Sequence, residues 1–188
     1  MLEMLVVVAI VLAMTAIVIM YIPQFRDRSS LDLVAQEVAI SIRGAQVYAS
    51  GGKVGQSFDI GKPSYGVHFD SANPNEFFVF ENNGEKYFED ETTDKIIPGE
   101  KFTLRGVKIL SWCVVVGASC DPVAADKIDI VYTRPRLEAV ICLEQECDIG
   151  NTDANEIHII LQAVKSERKK GIRIRSNGQI GVFNITDQ

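Results

Sequence analysis

The sequence predicts an α+β fold in which a long N-terminal hydrophobic helix packs on an antiparallel β-sheet or β-sandwich domain. Two observations lead to this prediction. An unbroken apolar run over residues 4–22 is followed by apolar residues at helical spacing as far as two glycines at 51–52. Beyond them, short runs of branched and aromatic residues alternate with turn residues, which is typical of strands. We therefore expect a transmembrane and amphipathic helix over residues 1–50 and a β domain over residues 51–188.

The apolar run over residues 4–22 is long enough to cross a membrane. At 1.5 Å per residue, a helix of this length spans about 28 Å, close to the thickness of a bilayer's hydrocarbon core. A cleaved secretory signal is the alternative, but such signals begin with basic residues and have a shorter apolar region. Here Met1 and Leu2 precede the acid Glu3, so we expect a membrane anchor rather than a signal.

Glu3 is an acid at the start of this apolar segment. A carboxylate costs several kcal/mol inside a membrane unless it is neutralised, reaches the interface or pairs with a cation. Its place at the helix tip lets it reach the interface, whereas pairing with the terminal amine of a neighbouring copy would set the register of an assembly. Ala9, Ala13 and Ala16 follow at spacings of four and three, so they share one helix face and allow close helix packing.

The sequence of residues 2–10, Leu-Glu-Met-Leu-Val-Val-Val-Ala-Ile, resembles the start of a mature type IV pilin or pseudopilin, the family with the prepilin N-terminal methylation motif. Residues 42–49, 64–69 and 171–178 resemble segments of the minor pseudopilins of the general secretion pathway H type. The resemblance implies a pilin-like stalk helix. It also implies that Glu3 is the glutamate that pairs with the amino terminus of an adjacent subunit.

The resemblance further implies a function and a location. It implies a structural minor pilin or pseudopilin subunit that assembles through its N-terminal helix into a type IV pilus or a type II secretion pseudopilus. The implied partners are other pilin or pseudopilin subunits, the inner-membrane assembly platform and membrane lipid. The helix would cross the inner (cytoplasmic) membrane once, with the C-terminal domain extracytoplasmic and available to a surface or periplasmic filament.

Members of this family begin with a basic leader that a prepilin peptidase removes, and no basic residue precedes Leu2. We therefore expect the natural chain to start upstream of Met1, with the prepilin peptidase as a further partner. The alternative is a copy that does not pass through this peptidase. Arg26 and Arg28 follow the span and, by the positive-inside rule, favour a cytoplasmic C-terminal side. A basic leader would reverse that preference, and cysteines paired as disulfides also favour an extracytoplasmic domain.

Apolar residues continue at spacings of three and four after Pro23, which is typical of an amphipathic helix lying against a domain. They are Leu31, Val34, Val38, Ile42, Ala45 and Tyr48 or Ala49. The resemblance implies that Pro23 weakens the stalk helix, and proline has no amide hydrogen to donate there. Ser29 or Ser30 is a candidate cap for a helix restart, and the glycines at 51–52 are a strong stop signal.

Short branched or aromatic runs in the remainder of the chain predict an antiparallel sheet or sandwich. The predicted strands are residues 65–69, 76–80, 86–88, 102–110, 127–132, 137–143, 156–161, 171–174 and 180–183. The Asn-Gly pairs at 83–84 and 177–178 predict hairpin turns, because both residue types accept positive φ.

The β domain contains four cysteines in two close pairs, Cys113 with Cys120 and Cys142 with Cys147. Two local disulfides are the favoured interpretation, because each pair can close across a tight loop in an extracytoplasmic domain. A four-thiolate zinc site is the alternative, although neither pair has the usual two-residue spacing. The connectivity stays open, since four cysteines allow three pairings.

The loop at residues 147–156 is rich in oxygen ligands, and Asp148, Asn151 and Asp153 are candidate calcium ligands. Their spacing fits no fixed calcium-binding template, so a solvated hairpin loop is the favoured interpretation. The sequence indicates no other cofactor. The acidic stretch at residues 85–94 is interpreted as a solvated surface.

A basic cluster is the candidate for DNA contact, because Lys and Arg attract phosphates. It consists of Arg168, Lys169, Lys170, Arg173 and Arg175. Strand alternation places Arg173 and Arg175 on one face of the strand and Ile172 and Ile174 on the other. The formal net charge of the chain is −6, so a solvated strand face is the simpler interpretation.

The sequence contains no recognisable catalytic motif. His68 and His158 lie on predicted strands far apart, without a nucleophile or ligand motif beside either, and each is expected to be structural. No phosphate-binding loop, dinucleotide fingerprint or metalloprotease helix is present. We therefore expect a structural protein rather than an enzyme. The alternative is a single-pass membrane-anchored binding domain that never polymerises and captures a ligand, a surface or DNA.

Overall fold

The computed structural model describes residues 2–52, 63–82, 86–117, 119–133, 138–144, 146–147 and 154–185. Within these ranges one long helix precedes ten strands. The elements are α1 (Leu2–Val47), β1 (Ser64–Asp70), β2 (Glu76–Asn82), β3 (Lys95–Thr103), β4 (Val107–Val116), β5 (Ser119–Pro122), β6 (Lys127–Tyr132), β7 (Ala139–Leu143), β8 (Ala154–Ala163), β9 (Lys169–Arg175) and β10 (Ile180–Asn184).

The strands form two five-stranded sheets within the described residues. Sheet A has the strand order β3-β2-β1-β6-β7, and sheet B has the order β10-β9-β8-β4-β5. All neighbouring strands in both sheets are antiparallel. The structure therefore confirms the predicted α+β fold, with one long N-terminal helix and an antiparallel β domain.

Helix α1 is continuous through position 23 and past the predicted restart site. Ser30 does not cap a new helix there; its hydroxyl donates a hydrogen bond to the Arg105 carbonyl oxygen at 3.1 Å. After Val47 the chain makes one π-helical turn, Tyr48–Gly52, in which Gly51 has a φ of 128°. L residues with a side chain rarely adopt that value, so the predicted glycine stop is confirmed.

The second half of α1 packs against both sheets. Its predicted buried stripe is confirmed, because Leu31, Val34, Val38, Ile42, Ala45 and Ala49 are all buried. They join the inner faces of both sheets in one apolar cluster, to which Val67 and Ile130 of sheet A and Ile159 and Ile172 of sheet B belong. Removing this apolar surface from water is the main stabilising contribution to the fold.

Two predicted strands differ from the structure, and three strand segments were not predicted. The predicted strand at 102–110 is divided, because β3 ends at Thr103 and β4 begins at Val107 after a turn in which Gly106 has a φ of 73°. Residues 86–88 form no strand; instead the Phe88 amide donates to the Asp129 carboxylate at 3.2 Å. The sequence analysis did not predict strand β5, residues 95–101 of β3 or residues 111–116 of β4.

Candidate functional site

The first half of α1 stands away from the β domain. Every described side chain from residue 2 to residue 22 is exposed. Among the described residues, α1 is the one helix long and apolar enough to cross a membrane, and none of its most apolar window is buried. Water solvates such a surface poorly, so this half-helix is stable only in lipid or against other apolar surfaces.

The polar groups in this half-helix are few. Glu3 lies in the first helical turn, where the helix dipole favours a negative charge. The Thr15 hydroxyl donates to the carbonyl oxygens of Val11 and Leu12, the latter at 3.2 Å, so it needs no outside partner. The role of Glu3 in pairing and the packing role of Ala9, Ala13 and Ala16 stay predictions.

A row of exposed apolar side chains continues along the outward face of α1 beyond the apolar half. It consists of Leu33, Ile40 and Val47, which are 68%, 63% and 57% exposed. A spacing of seven residues is close to two helical turns, so the three side chains form one line, here called the outer stripe. The β domain covers the opposite side of the helix and leaves this stripe open.

A second candidate site lies on the solvent-facing side of sheet B. Alternation along neighbouring strands brings Cys113 of β4 opposite His158 of β8, and His158 opposite Arg173 of β9. Glu156, two residues before His158, faces the same way and lies opposite Arg175. The inward-facing residues between them, such as Ile157, are fully buried.

The two sequence-predicted disulfides are present, and the structure pairs Cys113 with Cys120 and Cys142 with Cys147. No cysteine is free among the described residues, which include all four. The local pairing favoured on sequence grounds is therefore confirmed. Cys120 lies on β5, the edge strand of sheet B, so the first disulfide is at the accessible margin of the sheet.

His158 links the first disulfide to a charged network. Its Nδ1 lies 3.3 Å from Cys120 Sγ, and its Nε2 lies 2.6 Å from Glu156 Oε1. Arg175 Nε donates to Glu156 Oε2 at 2.6 Å, and Arg173 Nε lies 3.9 Å from Oε1. Burial acts to raise the pKa of Glu156, but the hydrogen bonds from Arg175 and His158 outweigh it and hold that pKa below its ordinary value.

We name Cys113, Cys120 and His158 the sulfur–imidazole cluster. The nitrogen and sulfur atoms that these residues offer all lie within 4.8 Å of one another. Phe183 closes one side of the cluster, with its ring centre 4.7 Å from that of His158. Comparison of the chain with family models, with curated proteins and with solved structures finds no match.

Among the candidate DNA-contact residues, Lys170 is turned away from Arg173 and Arg175. Arg173 and Arg175 lie on the outer face, with Ile172 and Ile174 buried on the inner one, as the alternation predicts. Both arginines flank Glu156, which offsets their charge. Lys170 is drawn to α1 by an ion pair with Asp32.

The remaining candidates lie elsewhere. Asp148, Asn151 and Asp153, the calcium candidates, are outside the described residues. His68 is buried beneath the rings of Phe78 and Phe88, with its Nδ1 2.7 Å from Asp129 Oδ1. The sulfur–imidazole cluster was not predicted from the sequence, because strand pairing brings His158 to Cys120, which is 38 positions earlier in the chain.

Proposed function

We propose that this protein is a membrane-anchored structural subunit, a minor pilin or pseudopilin that assembles through α1 into a type IV pilus or a type II secretion pseudopilus. The observation that carries the proposal is the division of α1. Its first half is apolar and exposed, while its second half packs against an antiparallel β domain on one face. A subunit with this construction presents a helix for packing and a folded domain for the exterior.

The apolar surface on the exposed half of α1 would contact lipid before assembly and neighbouring helices after it. Before assembly, lipid surrounds its apolar side chains and no water-exposed apolar area remains. During assembly, neighbouring helices replace lipid, and the small residues Ala9, Ala13 and Ala16 permit close approach of their backbones. Glu3 adds direction, because pairing with a neighbour's terminal amine removes the cost of an isolated carboxylate near lipid.

The outer stripe extends the same packing surface beyond the membrane. Leu33, Ile40 and Val47 are each more than half exposed, although they belong to the half of α1 that packs on the β domain. In a filament, a neighbouring helix would bury these side chains, at a gain of about 25 cal/mol per Å² of apolar surface removed from water. This gain is absent if the chain is only an isolated membrane-anchored binding domain.

The proposal is tested by site-specific photocrosslinking of the full chain in membranes. A benzophenone amino acid is placed at Ala13 or at Ile40, and a matched probe is placed at Val164, which is 60% exposed but lies in the β domain. We expect adducts at Ala13 and Ile40 whose partner peptide, identified by mass spectrometry, is the N-terminal apolar helix of another subunit. Adducts with lipid alone at Ala13 and none above the Val164 level at Ile40 would favour the non-polymerising binding domain.

A further inference from the structure

We propose that the sulfur–imidazole cluster is a redox-gated transition-metal site that binds Zn²⁺ through Cys113, Cys120 and His158 when the Cys113–Cys120 disulfide is reduced. The cluster is on the outer face of sheet B, whereas α1 packs on the inner faces. The inference is therefore independent of the proposed assembly function.

The distances in the cluster match what a tetrahedral zinc ion requires. Zn–S and Zn–N bonds of about 2.3 and 2.1 Å place a ligand nitrogen about 3.6 Å from a ligand sulfur and two sulfurs about 3.8 Å apart. The His158 Nδ1 atom is already 3.3 Å from Cys120 Sγ. After reduction, the two sulfurs need to separate by only about 1.7 Å, a movement that side-chain rotation supplies.

The backbone keeps the ligands in place when the disulfide is open. Strands β4 and β5 are paired over four residues, from Cys113 opposite Pro122 to Val116 opposite Ser119. The Cα atoms of Cys113 and Cys120 are 5.4 Å apart. The ladder between β4 and β8 holds His158 opposite Cys113. Reduction of the disulfide therefore leaves two thiols and an imidazole close together on strands that stay paired.

The hydrogen bonds around His158 select the tautomer that binds a metal. Glu156, ionised and bonded to Arg175, can only accept a hydrogen bond. In the neutral His158 imidazole, Nε2 then carries the hydrogen, which leaves the lone pair of Nδ1 directed toward Cys120 Sγ. A carboxylate that orients a histidine from the opposite ring nitrogen is the usual support of a metal-bound imidazole.

Reduction of the disulfide and binding of Zn²⁺ can be written with every electron and proton assigned. A thiol or dithiol reductant supplies two electrons and is oxidised to its own disulfide, while the Cys113–Cys120 bond breaks and its sulfurs take up two protons. Zn²⁺ then displaces both thiol protons to solvent, so the two thiolates neutralise the charge of the ion. A disulfide oxidant reverses the switch: it takes two electrons from the thiolates and two protons from solvent and becomes two thiols, while the Cys113–Cys120 bond re-forms and the metal is released. The fourth tetrahedral position is left to water, as in zinc sites with three protein ligands.

The second disulfide is an internal comparison. Cys142 Sγ lies 2.7 Å from the Lys86 carbonyl oxygen. Among the described residues, no group of three metal-ligating side chains includes Cys142 or Cys147. Thiolates with an imidazole nitrogen favour zinc, whereas a carbonyl oxygen is a ligand for harder ions. The reduced Cys142–Cys147 pair is therefore not expected to form an equivalent site.

The experiment is a titration of the detergent-solubilised full chain with Co²⁺, a spectroscopic substitute for Zn²⁺, followed by competition with Zn²⁺. The oxidised protein is compared with protein that has been reduced and freed of reductant. We expect the reduced protein to bind one Co²⁺ with thiolate-to-metal charge-transfer bands and tetrahedral d–d bands, and Zn²⁺ to abolish them. The oxidised protein should show neither band. Absence of thiolate bands in the reduced wild-type protein overturns the proposal.

Variants assign the ligands. Cys113→Ser/Cys120→Ser should abolish the bands, while the matched pair Cys142→Ser/Cys147→Ser should keep them. Glu156→Gln should raise the Kd for Co²⁺ on the order of 10- to 100-fold, because it removes the carboxylate that orients the ligand, and His158→Gln should raise it further. Bands that survive Cys113→Ser/Cys120→Ser, or a Kd that His158→Gln leaves unchanged, contradict the assignment. Far-UV circular dichroism of each variant confirms that the sheets are intact.

Discussion

The His68 imidazole and the Asp129 carboxylate are paired across neighbouring strands β1 and β6, with 2.7 Å between Nδ1 and Oδ1. Both side chains are at most 5% exposed. The pair lies beneath Phe78 and Phe88, whose ring centres are 4.9 and 5.0 Å from that of His68. Burial raises the pKa of Asp129 and outweighs the opposing effect of the hydrogen bond to His68. Sheet A therefore contains a buried polar pair that these two aromatic rings cover.

Removal of one member of this pair should be strongly destabilising. Asp129→Ala leaves His68 and the Phe88 amide without their acceptor, and we expect a loss of about 3–5 kcal/mol in the free energy of unfolding. The measurement is chemical denaturation of the full chain in detergent. Asp126→Ala is the control. Asp126 is exposed, so its substitution should lower the free energy of unfolding by well under half as much. Equal losses from the two variants would show that the buried pair has no special role.

The Glu156 network predicts a pH dependence of stability. The folded-state pKa of Glu156 lies below its ordinary value of 4.5, so its contribution is complete above that value and is lost as pH falls through the folded pKa. Glu156→Gln should reduce the free energy of unfolding at neutral pH by about 1 kcal/mol, because solvent screens the partly exposed Arg175. Denaturation between pH 7 and pH 3 should show this difference shrinking on acidification. A constant difference would contradict the ion-pair account.

Substitution of two glycines by alanine should change the stability of the fold in opposite directions. A Cβ on Gly66 would lie 2.7 Å from the Phe80 ring and 2.9 Å from a Val131 methyl group, both of which are fully buried. Gly66→Ala should therefore destabilise the domain by about 1–3 kcal/mol. Gly44 lies in α1 with open space around its Cβ position, so Gly44→Ala should stabilise by up to about 1 kcal/mol. The measurement is the Tm of both variants in thermal unfolding. A shift in Tm of the same sign in both would contradict the prediction.

The outer stripe should matter for assembly and not for folding. Ile40→Lys places a charge where a neighbouring helix is expected, but the side chain is exposed in the single subunit and folding should change by less than about 0.5 kcal/mol. With the photoprobe at Ala13, we expect the adduct yield to fall severalfold relative to wild type. Val164→Lys makes the same chemical change at similar exposure and should leave the yield unchanged. Equal yields in all three proteins would remove the stripe from the assembly surface.

Local signals account for what the sequence predicted correctly. The stripe from Leu31 to Ala49 depends on helical periodicity, and the stop at Gly51 depends on the backbone freedom of one residue. The hairpin between β9 and β10 likewise follows from Asn177 and Gly178, the latter with a φ of 83°. Each of these features is determined by residues close together in the chain.

Non-local relationships account for what the sequence missed. The break between β3 and β4 depends on Leu104, whose amide donates to the Asn75 carbonyl oxygen at 2.7 Å from a distant turn. His158 gains its sulfur neighbour only because β4 lies between β5 and β8 in sheet B. Cysteine spacing along the chain addressed a four-thiolate zinc site alone, so it gave no signal of the histidine from another strand that the proposed zinc site uses.

Glu3 is the most direct test of the central claim, which is assembly through α1. The measurement is the yield of helix–helix adducts from a photoprobe at Ala13, compared between wild type, Glu3→Gln and the control Glu37→Gln, at equal amounts of membrane-inserted protein. Glu37 is an exposed acid on the same helix, outside the apolar half. We expect Glu3→Gln to lose most of the adducts while Glu37→Gln keeps them. Equal yields from all three proteins would contradict the claim.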